Sequence, residues 1–295
     1  MLSDNKLRGA LAVAAGASVW GLFWIPLRYL DDNGVQGLWS VASLLLVPVI
    51  FIVPYLLWKK RLTFTPWYCL FGLTIGTSVA IYFAAMIFSD VIRIIFLFYL
   101  LPVWATLLSW LLYRQQIKPL QILAIGMALF GLYLLLGGTE KFPIPSDIGD
   151  WFGLGSGFLW ALALVMIRGN PDIDPLANTS APFVFGAPIA IAIALVLSFS
   201  GATEASSPPN MASLLPVAPV AILVGLFILW PSVFGQIWGA RLISAPTAAL
   251  VTMSEIVMAT VSAWLLIGTT LSPIAWLGGG LIILAAVLDL TQSPA

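Results

Sequence analysis

The sequence contains no histidine and a single cysteine, Cys69, among its 295 residues. The absence of histidine removes the most common metal ligand and the usual general base at neutral pH. One cysteine cannot form an intramolecular disulfide, and it argues against a thiolate metal cluster. We therefore expect neither a cofactor nor a metal, and we do not expect an enzyme.

Charged residues are also scarce, at 8% of the chain, whereas hydrophobic residues make up 61%. A soluble domain carries roughly 25% charged residues, because its surface faces water. The twelve basic and twelve acidic residues give no net charge, so no nucleic acid or other polyanion is expected as a partner. This composition predicts an integral membrane protein.

Ten apolar runs each approach the roughly 20 residues that a helix needs to cross about 30 Å of hydrocarbon. These uninterrupted runs show no strand-like alternation, and backbone groups in lipid must be satisfied within the segment, so we predict ten helices. Prolines inside the helices, such as Pro26 and Pro102, are expected to kink them. The first run contains 15-AGA-17, which resembles a signal-peptidase site, but it is too long for a signal peptide and is interpreted as a retained helix. The predicted spans are 8–28, 35–57, 67–88, 91–112, 118–137, 150–168, 180–199, 214–234, 246–267 and 272–290.

The basic residues are distributed unevenly about these spans. Loops on the cytoplasmic side of a membrane protein carry an excess of Lys and Arg. If the N-terminus is cytoplasmic, nine basic residues lie on that side and three on the other, so both termini are predicted to be cytoplasmic. The nine are Lys6, Arg8, Lys59, Lys60, Arg61, Arg114, Lys118, Arg168 and Arg241, and the three are Arg28, Arg93 and Lys141.

The two halves of the chain match at fixed offsets. At 154 residues Trp110 aligns with Trp264, and at 140 residues Trp20 aligns with Trp160. Tryptophan matches are less easily explained by chance than matches between Leu-rich helices. Five spans per copy is an odd number, so the second copy must enter the membrane from the opposite side, as in many secondary transporters. The prediction is an all-α polytopic protein with two inverted five-helix units, 1–140 and 146–295, and a site between them.

Several spans carry glycine pairs four residues apart, in 72-GLTIG-76, 153-GLGSG-157 and 235-GQIWG-239. Small residues at this spacing let membrane helices approach closely. The second run is not a nucleotide-binding loop, because no strand precedes it. We therefore predict that these pairs are packing surfaces.

The segment 254-SEIVMATVSAWLLIG-268 resembles the Glu-Pro to Trp-Leu-Leu-Leu-Gly-Glu signature of EamA-type modules, and 101-LPVWATLLSWLLY-113 resembles a weaker copy. The drug/metabolite transporter superfamily uses such five-helix modules in pairs. Three positions depart from the signature: Ile256 replaces the proline, Leu101 replaces the first-copy glutamate, and Thr269 replaces the closing glutamate. In aromatic content the chain is most similar to bacterial aromatic amino acid exporters of the YddG type. The resemblance implies a multi-pass protein of the bacterial inner membrane, with lipid and a small-molecule substrate as partners. We take a monomer as the working hypothesis for the oligomeric state.

Glu255 lies within the ninth span, where a charged carboxylate costs about 2.5–3.5 kcal/mol. Residues three, four and seven apart share a helix face, so Glu255 lies with the small or polar Thr252, Ala259 and Ser262. We predict that this face points into the bundle. The carboxylate either meets a substrate or proton, or it forms a hydrogen bond that fixes helix packing. The bulky stripe predicted to meet lipid is Leu250, Met253, Val257, Val261 and Trp264.

Polar and aromatic side chains elsewhere are candidates for lining a central cavity. Ser78 and Tyr82 share one stripe of the third span, and Gln236 matches Tyr82 at the 154-residue offset. Such groups either line a cavity or link helices, at about 0.6 kcal/mol per bond. Deep aromatic rings either form a box for planar or cationic groups or belong to the interfacial belt. The predicted substrate-binding residues are Trp20, Trp24, Ser78, Tyr82, Tyr99, Trp160, Gln236 and Glu255.

The resemblance and the inward polar stripes together favour an alternating-access carrier that exports aromatic or other hydrophobic amino acids. The alternative within the same class is a proton-coupled exporter of organic cations, in which Glu255 exchanges a proton for the drug. A non-transporting scaffold or receptor is a further alternative, which substrate-dependent flux would exclude.

Overall fold

The computed structural model describes residues 3–138, 144–170, 173–200 and 207–292. Lys141 and residues 201–206 of the longest polar loop lie outside these ranges. Within them every regular element is helical. The α-helices are α1 Asp4–Gly21, α2 Trp24–Asp32, α3 Leu38–Trp58, α4 Pro66–Phe88, α5 Val91–Phe98, α6 Leu101–Tyr113, α7 Pro119–Leu135, α8 Ile148–Gly169, α9 Pro175–Ser200, α10 Met211–Val224, α11 Trp230–Ala240, α12 Ala245–Thr252, α13 Ser254–Ile267 and α14 Pro273–Gln292, with a π-helical turn, Gly225–Leu229, between α10 and α11.

The predicted all-α membrane architecture is confirmed by the length and surface of these helices. Within the described residues, nine helical segments of at least 18 residues are apolar enough to cross a membrane. The predicted fifth span, α7, is apolar but has 17 residues, a length of about 26 Å. The outer surface exposes large apolar side chains, with Phe199 86% exposed and Trp58 and Phe227 each 73% exposed. An exterior of this kind is suited to hydrocarbon rather than water.

The first and fourth spans are interrupted near Pro26 and Pro102, two of the prolines that lie inside predicted helices. Pro26 cannot donate to the carbonyl of Leu22, and α1 and α2 are separated at Leu22 and Phe23. Pro102 cannot donate to the carbonyl of Phe98, and α5 ends at Phe98. Both breaks lie midway through a span. At the first, the carbonyl of Leu22 accepts the N–H of Ile25 at 3.0 Å, a tighter turn than that of an α-helix.

The ninth span is also broken, at Met253, although no proline lies on its C-terminal side. At the 154-residue offset Met253 aligns with Tyr99, which follows the break between α5 and α6. The side chain of Thr252 donates to the carbonyl of Ala248 at 2.8 Å, and such bonds often bend helices. Ile256, which stands in place of the signature proline, therefore does not restore a straight helix.

The eighth span is longer than predicted. The sequence indicated 214–234, whereas helical structure runs from Met211 to Ala240. The π-helical turn Gly225–Leu229 lies inside it, directly before Pro231. A π-turn accommodates one extra residue in a helix, so the span continues past the proline rather than ending there.

The glycine pairs predicted as packing surfaces are confirmed in that role. An added Cβ at Gly76 would lie 2.6 Å from the backbone nitrogen of Gly186, and one at Gly239 would meet the carbonyl of Gly9. At Gly153 it would lie 3.1 Å from Ile94. Helix backbones therefore approach each other at these points in a way that a larger residue would prevent.

Equivalent hydrogen bonds join the matching helices of the two halves. The hydroxyl of Ser78 on α4 donates to the carbonyl of Ser156 on α8 at 2.8 Å. The hydroxyl of Ser232 on α11 donates to the carbonyl of Gly16 on α1, also at 2.8 Å. At the 154- and 140-residue offsets, Ser78 aligns with Ser232 and Gly16 with Ser156, so the sequence repeat corresponds to a repeated helix pairing.

The beginning of α1 and the end of α14 lie at the same end of the bundle. Leu7 and Leu290 line one apolar groove, and the Lys118 ammonium donates to the carbonyl of Gln292 at 2.7 Å. We call this end the terminal face. The turn between α4 and α5 lies at the other end, the opposite face, where α8 begins.

Candidate functional site

Glu255 lies in the first turn of α13, directly after the break at Met253. The first backbone N–H groups of a helix lack partners and carry partial positive charge, which favours a carboxylate at this place. No described residue donates a hydrogen bond of normal geometry to Glu255. The Tyr99 hydroxyl is close to this carboxyl, but it too lacks such a bond within the described residues. The carboxylate therefore has a favourable field but no fixed partner.

Two adjoining chambers meet at Glu255, so the prediction that it faces the inside of the bundle is confirmed. The inner chamber is small, about 30 Å³, and the outer chamber is about 210 Å³. They share the walls formed by Trp20, Tyr82, Phe83 and Glu255. We call the two together the central cavity.

The inner chamber is bordered by N–H groups that have no partner. Trp20 Nε1, Trp160 Nε1 and Gln236 Nε2 are buried, and each lacks a hydrogen-bond partner among the described residues. Trp20 and Trp160 are the equivalent residues of the two halves. A buried, unsatisfied donor costs about 1–3 kcal/mol, so three around one chamber mark a place where an acceptor would be stabilised.

Ser78 borders the inner chamber, but its hydroxyl is already engaged. It donates to the carbonyl of Ser156, and the Ser156 hydroxyl donates back to the carbonyl of Ser78 at 2.8 Å. This reciprocal pair links α4 to α8 at the cavity wall. Polar residues on these helices are expected either to line a cavity or to link helices. Ser78 and Ser232 both link helices through their hydroxyl groups.

The outer chamber is predominantly aromatic and aliphatic and extends toward the opposite face. It reaches the start of α5, where Val91 is 45% exposed. Trp24 closes one side, and its indole N–H donates to the Ser262 hydroxyl at 3.0 Å, joining α2 to α13. The other lining residues are Gly21, Phe23, Leu27, Met86, Ile95, Tyr99, Ile256 and Ala259.

The cavity is closed on the side of the terminal face, and this corrects part of the face prediction for the ninth span. Leu250 and Met253 are 1% and 0% exposed, in a cluster that includes Tyr99, whereas Trp264 is 41% exposed as predicted. Because the helix is interrupted at Met253, the stripe does not continue along one straight face. Leu250 and Met253 therefore pack inside the bundle, between Glu255 and the terminal face, and do not contact lipid.

All eight residues predicted for the site border the central cavity. Sequence reasoning missed Phe23, Phe83 and Phe98, which complete the aromatic wall. The Trp20 and Phe83 rings are stacked at 6.4 Å between centroids, and the Tyr82 and Phe98 centroids are 4.7 Å apart. Phe83 follows Tyr82 directly, and neither Phe23 nor Phe98 shows a periodic signal, because both lie beside helix breaks.

Gly21 is a further residue that only the structure identifies. A Cβ at this position would overlap the backbone carbonyl of Glu255 and lie 2.8 Å from the backbone nitrogen of Ala259. The close approach of α1 to α13 at Gly21 therefore sets where Glu255 stands in the cavity. Among the residues that the structure describes, no three His, Cys, Asp or Glu side chains gather into a metal-binding group.

Comparison with known proteins agrees with this architecture. A crystal structure of another protein superposes with a TM-score of 0.72 at 17% identity, over 98% of each chain, which shows a shared fold. An uncharacterised transporter of Synechocystis sp. (strain ATCC 27184 / PCC 6803 / Kazusa), sll1319, is 24% identical over 98% of this chain and 94% of its own length. The model of the EamA-like transporter family matches twice, at residues 7–137 and 147–291. The chain therefore belongs to the EamA-like transporter family and is a multi-pass membrane transporter with two EamA repeats.

Proposed function

We propose that this transporter is a secondary carrier that exports aromatic and other hydrophobic amino acids across the bacterial inner membrane by alternating access. The observation that carries the proposal is the polarity of the central cavity. One small chamber holds a carboxylate and three unpartnered N–H groups, and it joins a larger apolar chamber. A molecule that matches this arrangement has a compact zwitterionic end and a bulky apolar end.

The polar groups are suited to the two charges of an amino acid. Glu255 would accept hydrogen bonds from the ammonium group, assisted by the faces of surrounding aromatic rings. The N–H groups of Trp20, Trp160 and Gln236 would donate to the carboxylate and regain the hydrogen bonds they lack. The side chain would then lie in the outer chamber against Trp24 and Leu27.

Phosphorylated substrates are disfavoured by the same walls. Neither chamber is lined by a lysine or an arginine. Phosphate recognition in proteins relies on these cations or on clusters of backbone N–H groups. An amino acid carries a single carboxylate, which neutral donors can satisfy.

The proposed transport cycle depends on two five-helix repeats of opposite orientation. Each family match corresponds to five predicted spans, and an odd number reverses the second repeat in the membrane. The equivalent Ser78–Ser156 and Ser232–Gly16 bonds support a two-fold relation between the repeats. With the terminal face in the cytoplasm, as the distribution of Lys and Arg favours, the central cavity points outward and Leu250 and Met253 close the cytoplasmic side.

The experiment is a flux assay in proteoliposomes with a panel of labelled compounds. We expect saturable movement of phenylalanine, tryptophan or leucine down their gradients. Phenethylamine, which lacks the carboxylate, and phenylpropionate, which lacks the ammonium, should compete about tenfold more weakly because each loses one charge-assisted set of hydrogen bonds. Absence of flux for every amino acid tested would reject the proposed substrate class.

Replacing Glu255 with glutamine provides the matched test of the carboxylate. The amide preserves size but not charge, so the half-saturating concentration for amino acids should rise about tenfold. Asp174→Asn is the control, because it removes a carboxylate that pairs with Arg61 at 3.2 Å, away from the cavity. Equal effects of the two substitutions would count against a role for Glu255 in binding.

A proton-coupled exporter of organic cations is the second candidate, and one observation favours it. Among the described residues, Glu255 is the only acid bordering either chamber of the central cavity. Aromatic rings also line these chambers, an arrangement that suits a cation without a carboxylate. In that case a pH gradient should drive phenethylamine uptake, and Glu255→Gln should abolish the pH dependence. Downhill amino acid flux that survives without a pH gradient would exclude this candidate.

A further inference from the structure

A second polar pocket lies at the terminal face, outside the central cavity. It has a volume of about 260 Å³ and is formed by the turn before α7, the start of α12 and the end of α14. Three glutamines of the α6–α7 region, together with one lysine and one aspartate, give it a strongly polar wall. The lining residues are Gln115, Gln116, Lys118, Gln121, Ser244, Asp289 and Gln292.

Asp289 is the buried acid of this pocket, with 3% of its surface exposed. Its Oδ2 atom accepts a hydrogen bond from the Thr247 hydroxyl at 2.6 Å, and that hydroxyl is 2.6 Å from the Ser244 hydroxyl. No described residue donates to its Oδ1 atom or lies within ion-pair distance. One carboxylate oxygen is therefore tied to the start of α12, and the other is without a protein partner in the described part of the chain.

Lys118 supplies a cation to the same pocket and attracts Asp289 without a direct ion pair. Its ammonium donates to the carbonyl of Gln292 at 2.7 Å rather than to the aspartate. The pocket therefore keeps separate negative and positive groups, with amide side chains between them. A buried carboxylate is unfavourable unless it is paired, and Asp289 has only the Thr247 hydroxyl and the more distant Lys118 charge as partners among the described residues.

The pocket adjoins the start of α12, and Glu255 lies on α13, the second half of the same membrane span. From Thr247 to Glu255 is eight residues, a distance of about 12 Å along a helix. Ala248, Leu250 and Met253 fill the space between, with 0%, 1% and 0% exposure. We call Ala248, Leu250 and Met253 the packed layer. The carboxylates of Glu255 and Asp289 lie on opposite sides of it.

We propose that the pocket around Asp289 is a second binding site, which receives the substrate at the terminal face before it reaches Glu255. Its ligand class is a zwitterionic amino acid, with the ammonium on Asp289 and the carboxylate toward Lys118 and the glutamine amides. This inference rests on the proposed function and adds a loading site to it. Movement of the packed layer then transfers the ammonium from one carboxylate to the other.

The test compares Asp289→Asn with wild-type protein, using inside-out and right-side-out membrane vesicles and labelled phenylalanine. For substrate presented at the terminal face, the half-saturating concentration should rise about tenfold, because a charge-assisted hydrogen bond is lost. From the opposite face it should stay unchanged, and only the maximal rate should fall, since a passive carrier has equal ratios of maximal rate to half-saturation in both directions. Asp174→Asn is the control for loss of an acid elsewhere on the chain.

Two further variants separate binding from a structural link between α12 and α14. Asp289→Glu keeps the charge and should restore affinity at the terminal face. Thr247→Val removes the hydrogen bond to Asp289 but leaves the carboxylate, so it should lower thermal stability without raising the half-saturating concentration tenfold. If Asp289→Asn and Thr247→Val have the same effects, or if Asp289→Asn changes affinity equally from both faces, the loading site is refuted.

Failure of this inference is distinguishable from failure of the proposed function. If wild-type protein moves no amino acid from either face, the substrate class is wrong and both proposals fall. If wild-type protein moves phenylalanine and Asp289→Asn behaves like Asp174→Asn, the transporter function stands and the loading site does not.

Discussion

Among the described residues, the buried carboxylates of Asp150 and Asp289 and the partly buried carboxylate of Glu255 are held in different ways. Asp150 is fully buried and accepts hydrogen bonds from Arg93, from the Ser89 hydroxyl at 2.6 Å and from the backbone of Ser146 at 3.0 Å. In the part of the chain that the structure describes, Glu255 has the Tyr99 hydroxyl nearby but no hydrogen bond of normal geometry, and Asp289 accepts from one hydroxyl. A fully partnered carboxylate stabilises the fold, whereas an incompletely partnered one leaves bonding capacity for a ligand.

Asp150→Asn should therefore reduce stability, since the amide cannot accept at both positions and would place its N–H groups against Arg93. We expect a loss of about 2 kcal/mol in the free energy of unfolding. Thermal unfolding of the detergent-solubilised protein measures it. Asp174→Asn removes the more exposed Arg61 ion pair and should change stability by about 1 kcal/mol or less. An equal shift in both variants would show that the Arg93–Asp150 pair is not the stabilising contact described here.

At the scale of elements, breaks and close contacts define the central cavity. Within the described residues, three spans are interrupted near their middle, between α1 and α2, α5 and α6, and α12 and α13. The residues beside these breaks, Phe23, Phe98 and Met253, form part of the cavity or its floor. At the break between α5 and α6 the neighbouring helix approaches closely, since a Cβ at Gly157 would overlap the carbonyl of Phe98.

Gly16→Ala tests one such approach. An added Cβ would overlap the carbonyl of Ser232, which belongs to the helix paired with α1, and would lie 2.8 Å from the Gln236 side chain. We expect a stability loss of about 1–3 kcal/mol, as in overpacked cores, together with reduced transport because Gln236 borders the cavity.

Gly126→Ala is the matched control, because nothing lies within 4 Å of a Cβ built there. Its unfolding temperature should stay the same or rise, since alanine is the better helix former. If Gly16→Ala is as stable as Gly126→Ala, the α1–α11 contact is looser than the structure indicates.

At the scale of the whole molecule, the two EamA repeats surround one cavity that reaches toward a single face. The central cavity extends from Glu255 to the start of α5, while Leu250 and Met253 seal the side of the terminal face. In the proposed transport cycle, this arrangement is one of the two alternating states. The opposite state would require the layer around Met253 to open and the outer chamber to close.

The orientation of the molecule can be tested by cysteine labelling in intact cells. In a Cys69→Ser background, Asn33→Cys lies between α2 and α3 and Lys60→Cys follows α3. The distribution of basic residues favours a cytoplasmic terminal face. A membrane-impermeant maleimide should therefore label Asn33→Cys at once and Lys60→Cys only after the membrane is permeabilised. The reverse pattern would place the termini outside and make the central cavity open inward.

Much of the fold could be predicted from the sequence, because lipid restricts what an apolar run can do. The spans around α3, α4 and α14 match their predicted limits within a few residues. The breaks were harder to predict: Pro26 and Pro102 offered a signal, but Met253 did not. For the site, single residues such as Trp20 and Glu255 were identifiable, because they are rare within membrane spans.

The sequence by itself determined that this chain crosses a membrane many times, that it contains two related units, and that Glu255 faces inward, because solvation in hydrocarbon and helix periodicity act on local sequence. Only the tertiary structure decided which residues meet. The chambers around Glu255, the unpartnered N–H groups of Trp20, Trp160 and Gln236, and the separate pocket at Asp289 depend on contacts between helices far apart in the chain. Those contacts are set by backbone approach at residues such as Gly21, which periodicity does not encode.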